Sequence, residues 1–285
     1  MAEELKTVHV DRIEDTVARM FGEANRILPR DVCDALDRAE REETEPLAKR
    51  AIGYLNQNLS IASKTGLPIC QDTGAAVVFC EVGSNIRIEG GTLTEAINRG
   101  VRRAYLDGGL RCSIVEDPLY GRTNTGDNTP AFVHISYVQG DSLRMIAAPK
   151  GFGSENMSAL TMMSPSSTEE DIIRFVTDAV EKAGSNPCPP LVLGIGIGGT
   201  FDTVGAMAKH ALLRPIGETH PHSAYAALEK KILTSVNALR IGAQGFGGKH
   251  TALAVHIETA PTHIAGLPVA LCICCHACRR VEVVL

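Results

Sequence analysis

Apolar residues in the first third of the chain recur at the spacing of a helix face. Ile13, Val17, Met20, Phe21 and Ala24 form one such stripe, and Pro29 ends that run. A second helical segment is predicted from about Asp31. A third opens at Thr44-Glu45-Pro46, where proline takes an early helical position, with Leu47, Ala51, Leu55 and Leu59 expected on its buried face. The period then shortens: 75–82 (AAVVFCEV) predicts a strand. Thr92-Leu-Thr-Glu95 reads as a capping box opening a helix to about Asp107, which Gly108-Gly109 stops. Stretches 131–138 and 143–148 predict two strands paired around the turn residues Gln139-Gly140-Asp141. Ser167-Thr-Glu-Glu170 is expected to cap a helix ending at Gly184. A buried strand over 191–197, helices over about 200–213 and 222–238, and a strand over 252–258 complete the pattern. It predicts one compact mixed α/β (α+β) domain over 1–285. The helices concentrate in the N-terminal third, about 1–65, and mixed β-sheets flanked by helices follow.

Composition narrows the classes of function. The chain has 285 residues, 28 Lys and Arg against 33 Asp and Glu, a net charge of −5, no Trp and 4% aromatics. A nucleic-acid binder usually shows a basic face and stacking aromatics, so none is expected as a partner. No apolar run approaches the roughly 18–20 residues of a membrane span. The start, Met-Ala-Glu-Glu-Leu-Lys, is charged rather than signal-like, so a cytoplasmic protein is expected.

Nine cysteines then change the picture: Cys33, Cys70, Cys80, Cys112, Cys188, Cys272, Cys274, Cys275 and Cys278. An odd number without a secretory signal fits a reducing compartment, where thiols pack, bind metal or do chemistry. Four segments gather Gly and Pro with reactive side chains between the regular elements: GLPICQDTG (66–74), NTGDNTPA (124–131), PKGFGSEN (149–156) and NPCPP (186–190). Such loops on a rigid scaffold are where sites are built. Only the tail, C-x-C-C-x-x-C, is close-spaced, whereas structural zinc usually shows two close pairs. Single thiolates from distant loops fit an iron–sulfur cluster with one iron left open.

These segments, with NPCPPLVLGIGIGGT (186–200) and THIAGLPVA (262–270) followed by a cysteine, resemble class I iron–sulfur fumarases and the related L(+)-tartrate dehydratases. The likeness is to the α subunit of the two-subunit forms, and it runs from the early helices to about Arg280. It implies a hydro-lyase, with reversible hydration of fumarate to L-malate as the expected reaction and a place in the tricarboxylic acid cycle. The L(+)-tartrate dehydratase α subunit is the alternative. It also implies a 4Fe–4S cluster on Cys70, Cys188 and Cys275, the last twelve residues after His263. Cys272 and Cys274 depart from the polar residues usual at their positions, and Cys275-x-x-Cys278 leaves a zinc-like pair open. Gln71, Asp72, Arg111, Gly153 and His263 match substrate contacts, with Asp72 and His263 in catalytic roles. Arginine suits a bidentate clamp on carboxylate, and glycine lets a backbone N–H approach substrate. Taken singly, Asp72 reads equally as a helix cap, Arg111 as half of a surface pair and His263 as a core histidine.

Two readings of other classes compete. Gly194-x-Gly196-x-x-Gly199 fits a dinucleotide loop between a strand and a helix, with Glu218 at a suitable distance. A non-catalytic iron–sulfur or zinc scaffold would explain the cysteines but not Arg111, Gln71, Asp72 and His263. Lys150 and the histidines at 134, 210, 220, 222, 250, 256 and 276 have no assigned role. No residue is a convincing proton-abstracting base, and the resemblance places that base on a partner. The expected partner is therefore a β subunit, in an arrangement such as α2β2, with the chain alone ending too soon after its last motif to supply a second wall.

Overall fold

The computed structural model describes residues 5–285. The expected mixed α/β architecture is present, and contacts gather the chain into two compact units. One consists of Met1–Pro29, Ile61–Gly151 and Arg279–Leu285, the other of Arg30–Ser60 and Phe152–Cys278. Neither is continuous in sequence, which is why no linker marks a boundary. The acidic residues of the charged start lie outside the described residues. No helix among the described residues is long and apolar enough to cross a membrane.

In the first unit, strands β1 (Lys6–His9) and β3 (Ile86–Glu89) pair in parallel. Helix α1 (Val10–Ala24) buries the predicted stripe Ile13, Val17, Met20, Phe21 and Ala24, and ends at Asn25, four residues short of Pro29. Helix α4 (Leu93–Asp107) starts at the predicted capping box, where Thr92 and Glu95 bond each other's backbones. The two helices pack closely because Gly100 has no side chain: a Cβ there would stand 2.7 Å from the Glu14 carbonyl oxygen. They cover one face of a four-stranded sheet ordered β10-β5-β2-β4, formed by β10 (Val281–Val284), β5 (Leu143–Lys150), β2 (Ala75–Gly83) and β4 (Phe132–Val138). Val78, Cys80, Ile97, Val101, Leu143 and Met145 fill the layer between.

This sheet corrects one expectation. Strands β4 and β5 do not pair with each other; β2 lies between them, parallel to β4 and antiparallel to β5. The predicted turn instead wraps the end of β2. Asn85 N–H donates to Gly140 O at 2.9 Å and Gly83 N–H to Ser142 O at 2.9 Å. A side chain at Gly83 would stand 2.5 Å from the Gly140 carbonyl oxygen, so the wrap requires glycine.

The second unit is a four-stranded sheet with helices on both faces. Its order is β6-β9-β7-β8, from β6 (Ala159–Met163), β9 (Leu267–Cys274), β7 (Leu191–Gly199) and β8 (Ala252–Thr262). Helices α6 (Glu169–Ala183) and α8 (Ser223–Ala238) pack on the side chains of Leu191, Leu193, Ile195 and Ile197. The N-cap of α6 is Thr168, bonded with Asp171, one residue later than the pattern suggested. Helix α7 (Phe201–Ala211) lies on the opposite face, against the alternate positions of β7. Helix α2 (Arg30–Glu42), most of α3 (Pro46–Thr65) and the short α5 (Phe152–Glu155) belong here too. The buried face of α3 is Ala48, Ala51 and Ile52, while Leu47 is exposed. The face is thus turned by one position, because small alanines let α3 approach Ala39 and Ala243.

Candidate functional site

The first unit brings Cys70, Gln71, Asp72 and Arg111 together. All three loop residues lie just before β2, where the chain has left α3 and has not yet entered the sheet. The Asp72 side chain accepts from Gly74 N–H at 3.0 Å, an Asx turn that folds the loop back on itself. Asp72 N–H in turn points at Cys70 Sγ at 3.4 Å, a donor suited to a sulfur carrying negative charge. Thr73 hydroxyl donates to the Arg111 carbonyl at 2.9 Å, which ties the loop to the arginine's segment. Gln71 and Arg111 are exposed and Asp72 half-buried, so all three are open to a ligand.

The NTGDNTPA segment is the brace of this arrangement, a role the sequence did not disclose. Asn128 is fully buried with φ at +61°; its amide donates to Gly74 O at 3.1 Å and its Oδ1 accepts from Ser113 N–H at 2.7 Å. One side chain thereby spans the Cys70 loop and the Arg111 segment. Tyr105 hydroxyl lies 2.9 Å and 2.8 Å from the Thr73 and Gly74 carbonyl oxygens. Burial pushes the Tyr105 phenol up, so it remains a donor. Burial also pushes the neighbouring Asp127 carboxyl up, but its bonds to Thr129 and Arg102 outweigh that and hold it below the usual carboxylate range.

The second unit gathers Gly153, Cys188 and Cys275. Cys188 is exposed, at φ +55° in the Pro-rich turn before β7, and Cys275 is half-buried immediately after β9. The two loops are bonded to each other: His276 Nδ1 is 3.1 Å from the Cys188 carbonyl oxygen, and His276 N–H donates to it at 3.5 Å. Gln244 fixes the same turn, its side chain and backbone donating to Pro189 O at 2.7 Å and 2.9 Å. Gly153 faces this turn, with the Asn186 carbonyl oxygen 4.0 Å from the position of a Cβ. His276 and Gln244 had no role in the sequence reading; adjacency of His276 to the last thiol was the available signal.

His263 is elsewhere in its unit. It sits on the exposed turn between β8 and β9, with Nδ1 accepting from Ala265 N–H at 3.1 Å. Cys275 follows the other end of β9, and eight residues of strand at about 3.3 Å each separate them.

The remaining cysteines are distinguished by their surroundings. None of the nine is in a disulfide. Cys272, Cys274 and Cys278 are buried, the first two within β9, and Cys272 Sγ donates to Glu155 at 3.8 Å. Burial holds Cys80 protonated, raising its pKa to about 12, and burial with nearby aspartates also raises Cys33 and Cys112. The glycines once readable as a dinucleotide loop lie inside β7, hydrogen-bonded on both sides. A Cβ at Gly194 or Gly196 would stand 2.1 Å or 2.4 Å from carbonyl oxygens of α7. These two serve close helix–strand packing.

A profile of the fumarate hydratase (Fumerase) family matches residues 14–284. The chain belongs to this family. Fumerase chains similar to it include a putative L(+)-tartrate dehydratase subunit alpha from Methanocaldococcus jannaschii, 45% identical over 94% of this chain and 96% of that one. The L(+)-tartrate dehydratase subunit alpha of Escherichia coli O157:H7 is 31% identical over 98% and 93%. The Fumerase match spans both units and every candidate site residue from Cys70 to Cys275. The chain is a hydro-lyase of the fumarate hydratase class, which sets aside the dinucleotide-binding and non-catalytic scaffold readings.

Proposed function

We propose that the chain is the α subunit of an iron–sulfur hydro-lyase that adds water to fumarate to give L-malate, and removes it in reverse. The observation that carries this reading is the Cys70-Gln71-Asp72 loop braced against Arg111 through Thr73 and Asn128. A thiol, an amide, a carboxylate and a guanidinium thus share one scaffold. Dehydrating a hydroxy-dicarboxylate needs those groups: a cation for the carboxylates, a polar group for the hydroxyl and an anchor for a Lewis acid.

The donor set fits a 4Fe–4S cluster held by Cys70, Cys188 and Cys275. These thiols lie partly or fully open outside the regular elements, as does Cys112, whose thiol burial and Asp127 hold protonated, and Cys188 and Cys275 stand on loops bonded to each other. When bound, such a cluster supplies an open iron that acts as a Lewis acid toward the departing hydroxyl. Arg111 grips a substrate carboxylate in bidentate fashion, and Gln71 donates its amide hydrogens to the same dicarboxylate. Asp72, pinned by Gly74 N–H, orients the hydroxyl that leaves. Gly153 offers backbone N–H next to the Cys188 turn. His263, at the far end of β9, contributes from a surface that only an assembled enzyme can bring to substrate. The base that takes the carbon-bound proton belongs to a β subunit, in keeping with the alpha-subunit names of the relatives. Those names also favour a second reading, L(+)-tartrate to oxaloacetate, on the same residues.

The test is anaerobic assembly with the β chain, then turnover of L-malate, fumarate and L(+)-tartrate side by side. Iron and sulfide should each reach about four per chain. Serine at Cys70, Cys188 or Cys275 should abolish the cluster absorbance, while Cys80→Ser leaves it intact. Cluster retention in Cys275→Ser with loss in Cys272→Ser would overturn the ligand assignment.

A further inference from the structure

A buried cation lies beneath the Cys70 loop and takes no part in the mechanism above. Arg279 is 4% exposed. Its Nη1 donates to Asn25 Oδ1 at 2.8 Å, while its Nε is buried without a hydrogen-bond partner. A buried guanidinium in a fold is ordinarily satisfied at every donor and balanced by an anion. Asn25 is itself fully buried, and its backbone carbonyl accepts from Ile69 N–H at 2.8 Å, so the arginine acts through Asn25 on the residue before Cys70.

Gly151 shows which anion faces Arg279. A Cβ at Gly151 would stand 3.2 Å from Asp72 Oδ2 and 3.6 Å from Arg279 Nη2. The carboxylate and the guanidinium thus converge on one small gap, and a glycine without positive φ keeps it open. Lys150 donates to the Gly151 carbonyl at 3.2 Å and lies opposite Ala75, so the peptide that frames the gap is fixed by the sheet.

We propose that Arg279 is a positioning residue of the hydro-lyase site: through Asn25 and the gap at Gly151 it sets the Ile69–Asp72 backbone and the Asp72 carboxylate. The inference rests on the functional reading above for its effect on turnover, but its effect on the loop does not. The guanidinium is buried beneath the loop. It acts by charge and by the Asn25 bond, so lysine preserves part of the effect and methionine none.

Two measurements test it. In the full chain without cluster, hydrogen exchange of the 69–74 amides should quicken at least tenfold in Arg279→Met and about threefold in Arg279→Lys, with α6 amides unchanged. In the anaerobically assembled enzyme with normal iron content, Arg279→Met should lower kcat at least thirtyfold with KM within threefold, and lysine should recover most of that loss. Gly151→Ala, whose methyl meets side-chain ends of Asp72 and Arg279 and no backbone, should keep its thermal stability and lose about tenfold in kcat. Unchanged exchange in Arg279→Met overturns the proposal, as does a kcat loss that merely follows lost iron. Should Arg279→Met fail to fold, wild-type turnover in both Gly151→Ala and Arg279→Lys overturns it equally. If the wild-type enzyme neither binds iron nor dehydrates a dicarboxylate, the functional reading fails, and the exchange result alone decides the role of Arg279 in the loop.

Discussion

At the scale of single residues, chemistry and support are held by different side chains. Cys70 and Gln71 offer their groups outward from a half-buried Asp72, while Asn128, Tyr105 and Thr73 behind them are buried and spend their hydrogen bonds on the loop. Arg111 is open, with only its backbone carbonyl engaged by Thr73. Its side chain is therefore replaceable without loss of fold. Arg111→Lys keeps the charge and loses the planar fork, so kcat/KM should fall by about tenfold to a thousandfold, or roughly 1.4–4 kcal/mol. Cluster absorbance should stay as in the wild type; steady-state kinetics beside an absorption spectrum checks both. Motifs exposed the outward-facing residues to sequence reading because their chemistry is diagnostic. Asn128 was hidden because an asparagine in a turn looks the same whether it braces two loops or only its own backbone.

Among the elements, β7 shows how one strand serves two helix layers. Its odd positions carry Leu191, Leu193, Ile195 and Ile197 toward α6 and α8, and its even positions carry Gly194 and Gly196 toward α7. Gly194→Ala would press a methyl within 2.1 Å of the Ala208 carbonyl oxygen, with Leu212 close behind. We expect a loss of about 3 kcal/mol or more, read from denaturant midpoints at constant m-value. Strand β10 gives a second case. The bond to Arg144 holds the Glu282 carboxyl below its usual range, and Arg144 also pairs with Glu81 at 3.0 Å. A carboxyl with a lowered folded-state pKa stabilises above its unfolded value and loses that contribution as pH falls through the lowered one. Glu282→Gln should therefore cost about 0.5–1 kcal/mol at pH 7, modest because both partners are partly exposed, and less at pH 3 than at pH 7. Urea titrations at the two pH values give the difference. Periodicity made the long helices and β2, β7 and β8 legible. It missed β1, β3, β6 and β10 because four or five residues span too few periods, and it missed β9 because Pro268 and the cysteines interrupt the β-branched pattern of a strand. The pairing of β4 was beyond it, since local turn residues are equally compatible with a hairpin and with a wrap around a third strand.

For the molecule as a whole, the site residues divide between the units: Cys70, Gln71, Asp72 and Arg111 in one, Gly153, Cys188, His263 and Cys275 in the other. Membership of a hydro-lyase family was legible from the motifs, whereas the choice of substrate was not, because one added hydroxyl on a dicarboxylate changes little that a motif records. The chain without its β partner should form a labile cluster and show negligible turnover of L-malate or L(+)-tartrate, with activity appearing on addition of the β chain. Titrating β into α under anaerobic conditions measures this; full turnover by α alone would oblige a search for the base among Asp72, Lys150 and His263. The placement of β10 also governs how the chain can fold as it is made. Arg144 meets Glu282 across 138 positions of sequence, so β5 waits at the sheet edge while Phe152–Cys278, the larger part of the second unit, is synthesised. During translation the first unit must persist with an unfilled edge next to its core until residues 281–284 clear the ribosome tunnel, a long-range closure of the kind that folds slowly. Cells making this enzyme therefore have good reason to shield the nascent chain at that edge until the strand that completes it arrives.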